Sequence, residues 1–106
     1  MTDRKKALVT GGATGIGKSA VMALAKAGYD VAINYASSAQ AAQQTALEAQ
    51  ALGAKTLLVQ CDVSDDLAVR AMLDQVGAAF GHLDALVSNG HNGHVEGQGL
   101  GELGYG

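Results

Sequence analysis

The chain has 106 residues, of which 48% are apolar, with one cysteine, no proline and a formal net charge of −3. This length and composition predict one small globular domain. The acidic balance gives no electrostatic argument for nucleic-acid binding, and the apolar runs are too short to span a membrane. Cys61 has no disulfide partner and the N-terminus lacks a signal-peptide apolar segment, so a cytoplasmic location is expected. The basic run at residues 4–6 is interpreted as a solvated edge.

The first half of the chain alternates between strand and helix patterns. An apolar strand over residues 6–10 leads through a glycine-rich turn into a helix that ends near Gly28, because glycine is favoured just past a helix C-terminus. A second apolar strand is predicted at residues 30–35. Ser37 or Ser38 then caps a second helix, which ends at Gly53.

The same alternation continues to residue 88. Strands are predicted at residues 55–60 and 83–88, and the helix between them is capped by Ser64 and buries Leu67. Short apolar strands separated by helices predict an α/β Rossmann-type fold (βαβαβαβ), in which a parallel sheet is covered on both faces. Right-handed crossovers favour the strand order 3-2-1-4.

The glycine-rich turn after the first strand has the character of a phosphate-binding site. Glycines let an anion approach the main chain, and the N–H groups and dipole of a helix N-terminus attract it. Residues 12–19 fit the Walker A pattern of P-loop nucleotide hydrolases. In that interpretation Lys18 would reach the phosphates and Ser19 would hold Mg²⁺.

The same turn also fits a dinucleotide-binding pattern. Residues 10–17 read Thr-Gly-x-x-x-Gly-x-Gly. In this pattern Gly11 makes the tight turn, Gly15 lets a pyrophosphate come close, and Gly17 allows close packing of helix and strand. Nucleotide binding is predicted by either pattern, and the turn alone does not decide between them.

The regular alternation of strands and helices stops after Asn89. Residues 90–106 contain seven glycines and show neither strand nor helix periodicity, so a flexible tail is expected. His91 and His94 have a spacing compatible with metal binding, but no further ligands stand near them on a regular element, and no metal site is predicted. The expected organisation is therefore an α/β unit over residues 1–89 followed by the tail.

Four local motifs occur in a consistent order between residues 5 and 89. They are the glycine turn at residues 10–17, the strand and loop at residues 31–38, the Asp-Val pair within residues 61–64, and the strand ending in Asn at residues 83–89. Together they resemble the N-terminal, cofactor-binding half of the short-chain dehydrogenase/reductase family, which includes 3-oxoacyl-carrier-protein reductases and glucose dehydrogenases. The resemblance implies an NAD(P)-dependent oxidoreductase of alcohol or carbonyl groups, with a nicotinamide dinucleotide as its partner.

The resemblance also implies which residues contact the cofactor. The pyrophosphate would lie against the glycine turn, the adenosine ribose against the end of the second strand, the adenine after the third strand, and the central ribose region after the fourth. In that order, these residues are Gly11, Gly12, Gly15, Ile16 and Gly17; Asn34, Tyr35, Ser37 and Ser38; Asp62 and Val63; and Asn89 and Gly90.

The end of the second strand indicates which dinucleotide is preferred. NAD-binding members place Asp or Glu there, about 20 residues past the glycines, to bond the ribose 2′-hydroxyl. This chain has Tyr35 followed by Ala36, Ser37 and Ser38, so no carboxylate repels a 2′-phosphate. NADP is therefore expected in preference to NAD. No Arg stands nearby, and Thr14, also assigned to the cofactor site, lies where NADP-preferring relatives often carry a basic residue.

The catalytic residues of the family are not found in this sequence, and none is predicted here. The family's chemistry uses a Tyr as acid and base, with a Lys four residues later. Tyr29, Tyr35 and Tyr105 have no Lys at that spacing, and Asn89-Gly90-His91 replaces the family's Asn-Ala-Gly. A truncated chain that is inactive alone is expected, through a frameshift, a truncation or a sequencing artefact. The alternatives are a nucleotide-binding module without catalysis and a P-loop NTPase.

Overall fold

The computed structural model describes residues 4–89, which form a four-stranded parallel sheet and three helices. In chain order the elements are β1 (Lys5–Val9), α1 (Gly15–Lys26), β2 (Tyr29–Tyr35), α2 (Ala39–Ala51), β3 (Thr56–Gln60), α3 (Asp66–Phe80) and β4 (Ala85–Val87). The strand order β3-β2-β1-β4 confirms the predicted Rossmann-type arrangement. The predicted tail, including His91 and His94, lies outside the described residues.

The sheet has a hydrophobic core on each face. The face covered by α1 and α2 buries Val9, Val21, Ala25, Val31, Ile33, Ala46, Ala49 and Ala54. The face covered by α3 buries Leu8, Ala32, Val59, Cys61, Met72 and Val76. Successive residues of a strand point to opposite faces, which is why the runs at residues 7–9 of β1 and 31–33 of β2, buried on both sides, are continuously apolar. The small alanine side chains let α2 lie close to the sheet and to α1.

Glycines end all three helices, and Gly28 and Gly53 do so as the sequence predicts. Gly28, Gly53 and Gly81 follow α1, α2 and α3 and have φ angles of 98°, 95° and 84°. These left-handed conformations cost little for a residue without a Cβ, so each glycine lets the chain leave its helix and turn back toward the sheet.

The start of α3 differs from the prediction in two ways. Asp65, not Ser64, is the N-cap, and its carboxylate accepts hydrogen bonds from the N–H groups of Leu67 and Ala68. The N–H and hydroxyl of Ser64 instead donate to the Asp62 carboxylate, so Ser64 is engaged in the preceding turn. Leu67 is 79% exposed and does not join the core. Leu67 lies nine residues, about two and a half helical turns, before the buried Val76, so it is on the opposite side of the helix.

Of the basic run at residues 4–6, Lys5 is exposed as the sequence suggested, but Arg4 and Lys6 bind a buried carboxylate. Asp30 of β2 is only 2% exposed, and its carboxylate pairs with Arg4 Nε at 2.9 Å and Lys6 Nζ at 2.6 Å. Its Oδ1 also accepts the N–H of Lys55, which lies just before β3. This Arg4–Lys6–Asp30 cluster therefore joins the amino ends of three strands.

The same cluster reaches two helix ends. Arg4 donates to the carbonyl oxygen of Ala25 in the last turn of α1 at 3.2 Å, and to that of Tyr29 at 2.8 Å. Lys6 Nζ lies 5.5 Å from the ring centroid of Phe80, the last residue of α3, in a cation–π contact. The cluster thus holds together the edge of the sheet formed by the amino ends of the strands.

Replacing Asp30 tests how much this cluster stabilises the fold. Burial alone raises the pKa of Asp30, but the bonds from Lys6, Lys55 and Arg4 outweigh it and hold the pKa below its usual value of 3.8. Asp30→Asn leaves two cations without their partner, and we expect it to lower the free energy of unfolding by about 3 kcal/mol at pH 7. Urea unfolding monitored by circular dichroism measures this change.

The contribution of Asp30 to the free energy of unfolding depends on pH. The folded chain binds its proton at Asp30 less tightly than the unfolded chain, so this stabilisation is present above pH 3.8 and is lost as the pH falls through the lowered pKa. The difference between wild type and Asp30→Asn should therefore shrink only below about pH 4. Asp74→Asn, at an exposed position of α3, is the control, with an expected change below about 0.5 kcal/mol. Equal stability losses in both variants would contradict the structural role of the cluster.

Candidate functional site

The glycine turn between β1 and α1 is held by β2. Gly11 has a φ of 61°, a left-handed conformation that favours glycine. Its N–H donates to Oδ1 of Asn34 at 3.0 Å, and the N–H of Gly12 donates to the main-chain oxygen of Asn34 at 2.9 Å. The N–H groups of Gly11 and Gly12 therefore point into the protein and bind Asn34.

Asn34 also joins the turn to β3. Its side-chain Nδ2 donates to the carbonyl oxygens of Val59 at 3.3 Å and Cys61 at 3.1 Å, and the residue is 2% exposed. The sequence placed Asn34 at the adenosine ribose. In the structure its side-chain amide instead lies inside the protein, where it links the glycine turn to the carboxyl ends of β2 and β3.

The later glycines of the turn have separate structural roles. Gly17 packs against the main chain of Gly11, so closely that a Cβ at residue 17 would overlap the Gly11 carbonyl. Gly15 has a φ of 59° and an open space in place of its missing side chain, with no other atom within 4 Å of a Cβ position. The first N–H groups of α1, from Gly15, Ile16 and Gly17, have no intrahelical acceptors. This open, amide-rich start of α1 is suited to an anion.

The carboxyl end of β4 meets the turn from the other side. The N–H of Asn89 donates to Thr10 Oγ1 at 2.8 Å, and Asn89 Nδ2 donates to the carbonyl oxygen of Gly11 at 3.3 Å. The N–H of Thr10 in turn donates to the carbonyl oxygen of Val87 at 2.9 Å. The structure therefore brings Asn89 into contact with the glycine turn, while Gly90 lies outside the described residues.

The residues after β3 border an apolar cavity. Val63 and Asn89 line it together with Leu8, Thr10, Val69, Met72, Leu73, Leu86 and Ser88, and its volume is about 190 Å³. Asp62 lies beside it in an exposed turn, where its carboxylate holds Ser64. An apolar recess next to the carboxyl ends of parallel strands can hold a flat ring against its lining.

Cys61, just before this turn, is a buried free thiol. Burial raises its pKa, and the neighbouring carboxylates of Asp62 and Asp65 raise it further. A raised pKa keeps the thiol protonated, so Cys61 serves as a small core residue.

The end of β2 leaves three predicted contact residues accessible. Tyr35 is half-buried, and Ser37 and Ser38 are exposed. Ser38 occupies the N-cap position of α2, but its side chain makes no capping bond there. The hydroxyls of this loop therefore lie at the start of a helix, on the same edge of the sheet as the glycine turn.

The sequence reasoning missed Thr45 of α2. Its hydroxyl donates to the carbonyl oxygen of Ala13 in the glycine turn at 2.8 Å, and the residue is fully buried. The one signal in the sequence was a polar residue on the helix face that otherwise carries Ala42, Ala46 and Ala49. A threonine on such a face usually bonds within its own helix, so the signal did not point to the turn.

The P-loop interpretation is not favoured by the geometry. Lys18 Nζ lies 3.0 Å from Oε2 of Glu48 on α2, so its charge is directed away from the turn. Ser19 Oγ lies 3.4 Å from the carbonyl oxygen of Gly15, one helical turn earlier. Neither side chain faces the space in front of the turn, as phosphate and Mg²⁺ binding would require.

Within residues 4–89, no group of three or more His, Cys, Asp or Glu side chains is arranged to hold a metal ion. In the same part of the chain, every helix is too short or too polar to cross a membrane.

Known proteins resemble this chain over most of its length. A sequence model described as short chain dehydrogenase matches residues 5–99. The 3-oxoacyl-[acyl-carrier-protein] reductase FabG of Staphylococcus aureus is 45% identical over 85 residues, which are 80% of this chain and 35% of that reductase. The short-chain dehydrogenase/reductase homolog YusS of Bacillus subtilis is also 45% identical over 85 residues, but these are 78% of its length.

A solved structure gives the same result in three dimensions. A short-chain dehydrogenase from Burkholderia cenocepacia, crystallised in complex with NADP, superposes with a TM-score of 0.76 at 48% identity. The match covers 81% of this chain and 35% of that one. The chain therefore belongs to the short-chain dehydrogenase family, and it spans about a third of the length of most relatives described here.

The close approach of Gly17 to Gly11 can be tested by adding one methyl group. Gly17→Ala forces a Cβ into the Gly11 carbonyl, so either the turn or the start of α1 must move. We expect a loss of more than about 3 kcal/mol in the free energy of unfolding, or failure to fold. Urea unfolding followed by circular dichroism measures it.

Gly77→Ala in α3 is the matched control. No atom outside the helix backbone lies within 4 Å of a Cβ at that position, and alanine has the higher helix propensity. It should therefore stabilise the chain by about 0.5–1 kcal/mol. If Gly17→Ala were as well tolerated as Gly77→Ala, the described turn geometry would be wrong.

Proposed function

We propose that this chain binds a nicotinamide dinucleotide, with NADP preferred over NAD, at the edge of the sheet formed by the carboxyl ends of the strands. The observation that carries the proposal is the geometry of the glycine turn. Gly11 and Gly12 are turned inward onto Asn34, whereas Gly15 is open and the first N–H groups of α1 are unpaired within the helix. A pyrophosphate at this position would meet free donors and a favourable helix dipole.

We assign the remaining site residues to the other parts of such a ligand. Val63 lines the apolar cavity of about 190 Å³, which suits an adenine ring, and Asp62 directly precedes Val63 in the chain. Tyr35, Ser37 and Ser38 would meet the adenosine ribose. Asn89 and Gly90 would meet the central ribose region, and Thr14 and Ile16 would flank the pyrophosphate. Asn34 would act on the ligand indirectly, by holding the turn.

Preference for NADP rests on charge at the end of β2. The loop after Tyr35 has no carboxylate that would repel a 2′-phosphate, and it carries the hydroxyls of Ser37 and Ser38 at the start of α2. A phosphate there would also gain from the N-terminal dipole of that helix. The relative from Burkholderia cenocepacia that was crystallised with NADP supports the same choice.

The whole protein to which this cofactor site belongs would be an oxidoreductase of alcohol or carbonyl groups. The bound dinucleotide would supply or accept the hydride. The 106 residues hold no Tyr followed four residues later by Lys, and Tyr29 lies at the amino end of β2, on the sheet edge opposite the turn. We therefore assign cofactor binding to this chain and no residue to proton transfer.

Calorimetric titration of the purified chain tests the binding proposal. We expect saturable binding of NADPH, weaker binding of NADH and no binding of Mg-ATP. Lys18→Ala distinguishes the site from a P-loop. It removes an exposed ion pair with Glu48 and should change NADPH affinity by less than about fivefold. If the folded wild-type chain binds Mg-ATP and the Lys18→Ala variant does not, the proposal is contradicted.

The preference for NADP can be tested at Tyr35. Tyr35→Asp introduces a carboxylate about 20 residues past the glycines, where it would repel a 2′-phosphate and bond a 2′-hydroxyl. We expect the ratio of NADPH to NADH affinity to fall by about tenfold or more. Tyr35→Asn, which has the same shape without the charge, is the control. Equal ratios in the two variants would mean that charge at this position does not select the cofactor.

Activity of the chain by itself is a separate question. Because the 106 residues hold no Tyr-x-x-x-Lys pair, we expect no oxidation of NADPH with any carbonyl substrate above the rate without protein. Absorbance at the NADPH band, with acetoacetyl thioesters and simple aldehydes as substrates, measures it. Turnover that copurifies with the chain and is lost in Gly17→Ala would overturn this expectation.

A further inference from the structure

Helix α2 contributes a buried polar side chain to the neighbourhood of the glycine turn. The sheet-facing side of this helix is made of Ala42, Ala46 and Ala49, all at most 4% exposed, and of Thr45, which has no exposed surface. A buried hydroxyl costs free energy unless it is hydrogen-bonded. Thr45 donates to the carbonyl oxygen of Ala13, 32 residues earlier in the chain, at 2.8 Å.

This bond fixes the orientation of one peptide group. The carbonyl of Ala13 and the N–H of Thr14 belong to the same peptide unit, which is planar and trans, since the described residues hold no cis peptide bonds. In a trans unit the N–H points opposite to the C=O. The Ala13 carbonyl points toward α2, so the Thr14 N–H points away from α2, at an exposed residue that directly precedes α1.

We propose that Thr45 is a positioning residue for pyrophosphate binding, because its hydroxyl holds the Ala13–Thr14 peptide so that the Thr14 N–H joins the donors at the start of α1. The proposal rests on the proposed function of the turn. It makes α2 a part of the site, through a side chain that never touches the ligand. Without the hydroxyl, the Ala13 carbonyl loses its buried partner and the peptide can rotate.

The test compares three variants of the full chain. Thr45→Val keeps the shape and removes the hydroxyl, Thr45→Ser keeps the hydroxyl and removes a methyl group, and Thr56→Val is the matched control. The Thr56 hydroxyl accepts a bond from Gln50 at 2.7 Å at the start of β3, at the sheet edge opposite the turn. Calorimetry with NADPH and ADP probes ligands that carry a pyrophosphate, and adenosine probes a ligand without one.

We expect Thr45→Val to bind NADPH and ADP about tenfold more weakly while its affinity for adenosine changes little. Thr45→Ser and Thr56→Val should retain wild-type affinities for all three ligands. Equal losses for adenosine and ADP would assign Thr45 to packing alone and overturn the proposal. If Thr45→Val does not fold, loss of ADP affinity in Thr45→Ala with retention in Thr45→Ser supports it, and equal loss in both contradicts it.

A measurement without ligand separates this proposal from the proposed function. In the ¹H–¹⁵N spectrum, Thr45→Val should move the Thr14 amide signal, whereas Thr56→Val should leave it unchanged. An unmoved Thr14 signal overturns the positioning role whether or not NADPH binds. A wild-type chain that binds neither NADPH nor ADP contradicts the proposed function instead, and the Thr14 signal then decides the role of Thr45 alone.

Discussion

The buried amide of Asn34 is the interaction on which the candidate site depends. One side chain accepts the Gly11 N–H and donates to two carbonyl oxygens at the end of β3, and its own main-chain oxygen accepts the Gly12 N–H. Leaving any of these buried groups unpaired would cost about 1–3 kcal/mol. The turn is therefore ordered by the protein itself, and the amides that remain free are those at the start of α1. Such a preorganised site loses little entropy when it binds a ligand.

Different interactions stabilise the two edges of the sheet, at the amino ends and at the carboxyl ends of the strands. At the amino ends of the strands, the Arg4–Lys6–Asp30 cluster binds strands and helix ends together through charge. At the carboxyl ends, the contacts are neutral hydrogen bonds among Asn34, Thr10, Asn89 and the glycine turn. Among the described residues, the hydrogen bonds to the turn come from uncharged groups, and Lys18 is paired with Glu48. An anionic ligand would then be held mainly by main-chain amides and the dipole of α1.

The sequence predicted the strand order and the glycine turn because both follow from local patterns. Apolar strands alternating with helices leave few topologies, and the spacing of Gly11, Gly15 and Gly17 carries the turn geometry directly. Side-chain direction was harder to predict. Asn34 ends an apolar strand and could equally have faced a ligand, and Ser64 was displaced as cap because Asp62 engages it. Thr45 and Asp30 were missed because their partners lie more than 20 residues away in the chain.

The most direct test of the account is an NADPH titration of the uniformly ¹⁵N-labelled chain, followed through the ¹H–¹⁵N spectrum. The account predicts saturable shifts at the amides of Thr14, Gly15, Ile16 and Gly17 and at the loops after β2 and β3. The signals of Lys6, Asp30 and Lys55, at the opposite edge of the sheet, should stay in place. Shifts confined to that opposite edge, or a folded chain whose glycine-turn amides do not respond to NADPH, would contradict it.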